Sequence, residues 1–142
     1  MFYPAANRGL KHQASGIVMV NSQNILVIDD NEEILVALKN FLRKKNYIVA
    51  SATNGLDGLK LFESAADEFD LVITDLVMPN ISGVAVISII KKKNPDIPVI
   101  AITGYGEQPE ALAKEARADT VIEKPFKLNK LIKTIQKLLD EK

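Results

Sequence analysis

The chain has 142 residues, 47% hydrophobic and 25% charged, a balance typical of one globular domain with its own core. Its 18 basic and 18 acidic residues cancel, so no bulk charge draws it toward nucleic acid or an anionic membrane, and neither is an expected partner. The absence of cysteine excludes disulfides, thiol nucleophiles and Cys-ligated zinc, and the single histidine, His12, argues against a histidine-based site.

Residues 1–22 show no sustained hydrophobic period and mix glycine, proline and scattered polar residues. We interpret them as a flexible N-terminal extension, with residues 23–142 forming the folded domain. No apolar run in the chain approaches the roughly 20 residues that a membrane-spanning helix needs.

From Asn24 onward, short apolar runs alternate with amphipathic segments. The apolar runs predict strands at 24–28, 47–52, 70–74, 97–103 and 120–123. Apolar residues at helical spacing predict helices at 32–45, 55–66, 109–118 and 127–142.

One further segment, 84–90, is β-branched and favours a strand by propensity alone. However, Ser82 is a suitable helix N-cap, and apolar residues recur at helical spacing from Gly83 to Ile90. We predict a helix, because two consecutive parallel strands need a crossover between them. Five strands alternating with five helices then predict an α/β domain, a parallel sheet with helices on both faces.

Polar residues stand at the carboxyl ends of four predicted strands. Asp29 and Asp30 follow the first strand, Asp75 follows the third, Thr103 ends the fourth, and Lys124 follows the fifth. In an open parallel sheet these ends share one edge, where ligands bind. We therefore expect three carboxylates, a hydroxyl and an ammonium to meet in one crevice.

Such a crevice suits magnesium-dependent phosphoryl chemistry. Clustered carboxylates repel each other, and their pKa values rise unless a cation is present. Mg²⁺ is usually held by one or two carboxylates together with water and phosphate oxygens. A carboxylate can attack the phosphorus of a bound phosphoryl group and form an acyl phosphate. Lys124 and the Thr103 hydroxyl would then hold the remaining phosphoryl oxygens.

Four stretches resemble the receiver domains of two-component response regulators. They are VIDDNEE (27–33), ITDLVMPNISG (73–83), AITGYG (101–106) and EKPF (123–126). The similarity extends over roughly residues 24–142. It implies a flavodoxin-like (βα)5 doubly wound sheet with strand order 2-1-3-4-5, an order that comes from the resemblance alone. It also implies a signalling switch that promotes its own phosphorylation and dephosphorylation, rather than a turnover enzyme.

The resemblance assigns a role to each acid. Asp75 would accept the phosphoryl group. Asp30 would bind Mg²⁺ directly, Asp29 would bind it mainly through water, and the backbone carbonyl of Val77 would add a ligand. Magnesium is therefore the expected cofactor.

The same resemblance implies the partners. A histidine kinase or a histidine phosphotransfer protein of a phosphorelay would donate the phosphoryl group in the cytoplasm. Thr103 and Lys124 would bind that group, and the Lys124–Pro125 bond is commonly cis in this family. The surface of the fourth helix, fifth strand and fifth helix would bind a downstream protein or a second copy. Ile89, on the outer side of the third helix, is a further apolar candidate contact.

The chain departs from the family pattern at several positions. Val121 stands where receivers usually carry the aromatic switch residue, and Tyr105 could act in its place or be an ordinary loop side chain. Arg117 stands where the family often has glycine, so we expect a strained or shorter turn there. Val77 and Tyr105 occupy positions that influence the lifetime of the phosphoryl group, and their bulk predicts slow self-dephosphorylation.

Three other interpretations stay open. Asp30 could simply cap the following helix, with Glu33 completing a capping box. The chain could be an Asp-nucleophile phosphohydrolase of the haloacid dehalogenase type, but that class expects a second acid where Val77 stands. It could also be a pseudo-receiver, a protein-binding module that keeps the fold without phosphorylation.

Overall fold

The computed structural model describes residues 23–104 and 109–141. The predicted extension at residues 1–22 and the loop residue Tyr105 lie outside the described residues, so the division of the chain at residue 23 stays a prediction. Among the helices within the described ranges, none is long and apolar enough to cross a membrane.

The described part of the chain contains one five-stranded sheet in which every neighbouring pair is parallel. Its strands are β1 (Asn24–Ile28), β2 (Ile48–Ala52), β3 (Leu71–Asp75), β4 (Val99–Thr103) and β5 (Thr120–Glu123). The spatial order β2-β1-β3-β4-β5 confirms the flavodoxin-like fold. Ile28 pairs with Thr74 and Asp75 pairs with Ile102, so the strands end at nearly the same level.

Five α-helices connect or follow these strands in the described ranges. They are α1 (Glu32–Lys44), α2 (Gly55–Ser64), α3 (Gly83–Lys93), α4 (Pro109–Ala116) and α5 (Leu128–Asp140). The β-branched segment 84–90 is helical, as the crossover argument predicted. The predicted helix at 55–66 is shorter than expected, because α2 ends at Ser64 and a separate 3-10 turn, Ala66–Glu68, follows.

Two hydrophobic cores lie on opposite faces of the sheet. Ile25 and Val27 pack with α1 and α5 on one face, whereas Leu26 and Ile28 pack with α2 and α3 on the other. Burial on both faces explains why β1 reads as an unbroken apolar run. The buried face of α5 begins at Leu131, because Leu128 at the start of the helix is 36% exposed.

The turn after α4 has the strain that was expected of Arg117. This residue adopts φ 63°, in the left-handed region that non-glycine residues rarely occupy. The helix therefore ends at Ala116 rather than at the predicted residue 118.

Candidate functional site

Three acids meet at the carboxyl edge of the sheet, as their positions at strand ends predicted. One carboxylate oxygen from each of Asp29, Asp30 and Asp75 lies within 4.8 Å of the other two. Asp29 and Asp75 are only 1% and 6% exposed, whereas Asp30 is exposed to solvent. The adjacency of β1 and β3 brings these residues together across more than forty positions of sequence.

Lys124 places an ammonium between the two buried acids. Its Nζ is 3.1 Å from Asp75 Oδ2 and 3.3 Å from Asp29 Oδ2. The Lys124 backbone N–H donates to the Thr103 carbonyl at 2.8 Å, which holds the end of β5 beside that of β4. The Lys124–Pro125 bond is cis, in agreement with the family resemblance.

Backbone amides orient the other oxygen of each buried acid. The Asn31 N–H donates to Asp29 Oδ1 at 2.9 Å, and the Val77 N–H donates to Asp75 Oδ1 at 3.3 Å. Both Oδ2 atoms are therefore left for Lys124 or for a bound cation. Asp29 Oδ2 is fully buried, yet it accepts no hydrogen bond from the described part of the chain and has only the ion pair with Lys124.

The charge of Lys124 does not fully offset the burial of the Asp75 carboxyl. Burial raises the pKa of the Asp75 carboxyl, Lys124 works against that rise, and the charge of Asp29 adds to it. Burial alone would lower the pKa of Lys124, but the two carboxylates outweigh it and the pKa is raised. The ammonium is thus held in its charged form, while the ionised form of Asp75 would still gain from additional positive charge.

The donor set fits a hard divalent cation. Carboxylate oxygens are the ligands that such ions prefer, and three of them are gathered here. Two features point the same way: the buried Asp29 Oδ2 that lacks a hydrogen-bond donor, and the raised pKa of Asp75. The backbone of Val77 lies at the same place in the fold, because its N–H bonds to Asp75.

The interpretation of Asp30 as the cap of α1 is wrong. The N-cap is Asn31, whose side chain accepts a hydrogen bond from the Ile34 N–H at 3.2 Å. Asn31 was missed by the sequence reasoning, although asparagine is among the best N-cap residues. Because Asn31 caps the helix, the carboxylate of Asp30 is left beside the other two acids.

The predictions for Thr103, Val121 and Tyr105 have different outcomes. Thr103 is fully buried at the end of β4, the strand that lies between those leading to Asp75 and Lys124. Val121 is partly buried against the α2–α3 core, so the usual aromatic position holds a packing residue. Tyr105 lies outside the described residues, and its proposed switching role stays a prediction.

An apolar groove of about 500 Å³ opens beside Lys124, between α1 and the start of α5. Its lining is Ile34, Ala37, Leu38, Gly104, Lys124, Pro125, Phe126 and Leu128. No single sequence pattern predicts it, because its two walls are about ninety residues apart in the chain.

The response regulator receiver domain profile matches residues 25–136. The chain belongs to this family. It is therefore a receiver domain of the two-component signalling type, and its acidic pocket is consistent with phosphorylation and magnesium binding. The expected fold class and family are confirmed.

Several curated relatives support this assignment. The sensor kinase CckA of Brucella abortus is 30% identical over 84% of this chain and 13% of its own length. The transcriptional regulatory protein PrrA of Mycobacterium tuberculosis is 31% identical over 84% of this chain and 51% of its own. The response regulator RR06 of Streptococcus pneumoniae is 36% identical over 82% and 52%. The chain spans about half or less of these relatives.

Two solved structures are similar to this chain over nearly their whole length. A response regulator receiver domain protein from Clostridium thermocellum has a TM-score of 0.79 and 33% identity, covering 84% of this chain and 95% of that one. The response regulator protein TrrA of Thermotoga maritima, solved in complex with Mg(2+)-BeF, has a TM-score of 0.74 and 38% identity, covering 82% and 98%.

Proposed function

We propose that Asp75 accepts a phosphoryl group as an acyl phosphate, with Mg²⁺ held by Asp29, Asp30, Asp75 and the backbone carbonyl of Val77. The observation that carries this proposal is the shared position of Lys124, within 3.3 Å of both buried carboxylates. A buried nucleophilic carboxylate flanked by two acids and one ammonium can bind a cation and a phosphoryl group at once.

The proposed transfer uses these positions. A carboxylate oxygen of Asp75 attacks the phosphorus of a phosphohistidine, and the P–N bond breaks with its electron pair leaving on the imidazole nitrogen. Mg²⁺ held by these acids would supply positive charge beside the phosphoryl oxygens. The Lys124 ammonium then pairs with a phosphoryl oxygen, and the Thr103 hydroxyl donates to another.

The donor is a histidine kinase or a histidine phosphotransfer protein, and we place its docking at the apolar groove. The groove shares Lys124 and Gly104 with the edge of the sheet where the acids lie. A donor helix that lays apolar side chains against Phe126 and Leu128 brings its histidine to Asp75. Because such phosphohistidines are formed from ATP, we place the protein in the cytoplasm.

The output is a change in the α4–β5–α5 surface. Phosphorylated Asp75 carries added negative charge that draws the Thr103 hydroxyl toward the phosphoryl group and biases α4, β5 and α5 between two arrangements. A downstream protein or a second copy binds this surface. Ile89, 37% exposed on α3, offers a further apolar contact.

Acetyl phosphate provides a direct test of this proposal. Intact mass spectrometry should show one added phosphoryl group on the wild type with Mg²⁺, and none with EDTA. Asp75→Asn should gain nothing, whereas the matched control Asp96→Asn, at an exposed aspartate beyond α3, should gain as much as the wild type. A gain in Asp75→Asn would contradict the assignment, and no gain in any variant would favour the pseudo-receiver.

A further inference from the structure

The first residue of α3 touches the backbone of the proposed phosphoryl acceptor. Gly83 is buried, and its N–H donates to the Leu76 carbonyl at 2.8 Å. A Cβ at this position would lie 1.8 Å from the Asp75 carbonyl oxygen and 2.6 Å from the Leu76 Cα. Both atoms belong to the backbone, so no side-chain rotation can relieve the overlap. Only glycine lets α3 approach the end of β3 this closely.

This contact lies on the part of the chain that orients the Asp75 carboxylate. The carboxylate leaves the backbone at the residue whose carbonyl faces Gly83, and its Oδ1 is held by the N–H of Val77, two residues further on. A shift of the Asp75 or Leu76 backbone therefore moves the carboxylate relative to Lys124 and Asp29. It also moves the backbone of Val77.

A second glycine packs closely against the same loop. A Cβ on Gly55, the first residue of α2, would lie 3.1 Å from the Ile81 carbonyl oxygen and 2.9 Å from a Val86 methyl. The loop at 76–82 is thus held between the starts of two helices. Of the two contacts, only that of Gly83 reaches Asp75 itself.

We propose that Gly83 is a positioning residue for the metal and phosphoryl site. Its missing side chain sets the depth at which the start of α3 seats against β3, and hence the placement of the Asp75 carboxylate and the Val77 backbone around the cation. This inference rests on the proposed function of Asp75.

Gly58→Ala provides a matched control for Gly83→Ala. Gly58 is also a buried helical glycine, but the three atoms nearest to its Cβ would all belong to the side chain of Ile28, the first at 2.4 Å. We expect both variants to lose thermal stability. Only Gly83→Ala should lose Mg²⁺ affinity, by about tenfold, as for other residues that support metal ligands. Titration of the full chain with Mg²⁺ by NMR measures this affinity.

The outcomes separate the two proposals. If the wild type binds no Mg²⁺, the proposed function fails. If the wild type binds Mg²⁺ and Gly83→Ala binds it equally well, or if Gly58→Ala loses as much affinity, the positioning role is overturned.

A measurement on the wild type keeps the test decisive if Gly83→Ala does not fold. Binding of Mg²⁺ with beryllofluoride should slow hydrogen exchange at the Gly83 amide, because its bond to Leu76 belongs to the loop that the ligands fix. The Gly58 amide, bonded to the Asn54 carbonyl at 3.1 Å, is the reference. Equal change at the two amides would overturn the inference.

Discussion

Lys124 Nζ lies 3.1 Å from Asp75 Oδ2, and the same ammonium lies 3.3 Å from Asp29 Oδ2. One positive charge is thus shared by two carboxylates that are almost completely buried. A buried charge without a partner costs several kcal/mol, so the metal-free fold depends on this lysine. The same arrangement leaves the acids attractive to a cation.

Lys124→Met should destabilise the metal-free protein by about 2 kcal/mol, because it leaves two buried carboxylates unpaired. Lys93→Met is the matched control, since its ion pair with Glu63 is 45% and 51% exposed and should contribute less than about 0.5 kcal/mol. Urea unfolding in EDTA measures both free energies. Equal losses would show that Lys124 does not stabilise the pocket.

Asp75→Asn should stabilise the metal-free protein at neutral pH by about 0.5 to 2 kcal/mol, the usual size of a stabilising substitution. The pKa of Asp75 is raised on folding above its ordinary value of 3.8, so the protonated form favours the fold. That contribution is complete below the unfolded pKa and is lost as the pH rises through the folded pKa. The gain from Asp75→Asn should therefore shrink on acidification.

Unfolding free energies in EDTA, measured from neutral pH down to below the ordinary Asp pKa of 3.8, check the sign of the Asp75 effect. Adding Mg²⁺ should stabilise the wild type more than Asp75→Asn, because the variant lacks one ligand. A variant that is less stable than the wild type at neutral pH in EDTA would refute the account of the pocket charges.

Arg117→Gly should raise the free energy of unfolding by about 0.5 to 1 kcal/mol. The left-handed φ of 63° costs an arginine about 1 to 2 kcal/mol, which exceeds the extra chain entropy that glycine loses on folding. Arg117→Ala keeps the strained conformation and should show no gain. Thermal melts of both variants compare them, and equal melting temperatures would mean that the turn is not strained.

Phosphorylated wild type should lose its label slowly, because the bulky apolar side chain of Val77 obstructs the attacking water. Val77→Asn should shorten the lifetime several-fold. Val36→Asn is the control, since Val36 is 54% exposed and Val77 is 53% exposed, but Val36 lies on α1. Purified phosphoprotein followed over time gives the rates. Loss of the wild-type label within seconds would contradict the expectation.

Sequence reasoning succeeded where a global constraint was visible in the order of the elements. The segment 84–90 has the composition of a strand, but the need for a crossover between parallel strands predicted the observed helix, with Val86, Ile87 and Ile90 buried. The same reasoning predicted that Asp75 lies at the carboxyl edge of the sheet, where ligands bind. The strand order itself came from the family resemblance, which the sheet confirms.

What the sequence could not predict depends on distances between remote segments or on small shifts of a boundary. Asp30 and Asn31 are adjacent and both are good N-cap residues, so the choice between them depends on where α1 begins. To predict that two acids share Lys124, one must know how the ends of β1, β3 and β5 are aligned in the sheet. To predict the contact of Gly83 with the Asp75 carbonyl, one must know how closely α3 packs against the end of β3, and no residue pattern specifies that distance.

Borohydride reduction of the phosphorylated protein, followed by peptide mapping, locates the modified residue most directly. An acyl phosphate is reduced to an alcohol at the residue that carried it. We expect the reduced residue at position 75 alone, in samples treated with acetyl phosphate and Mg²⁺ and not in EDTA controls. Reduction at Asp29 or Asp30 with Asp75 unchanged would contradict the account.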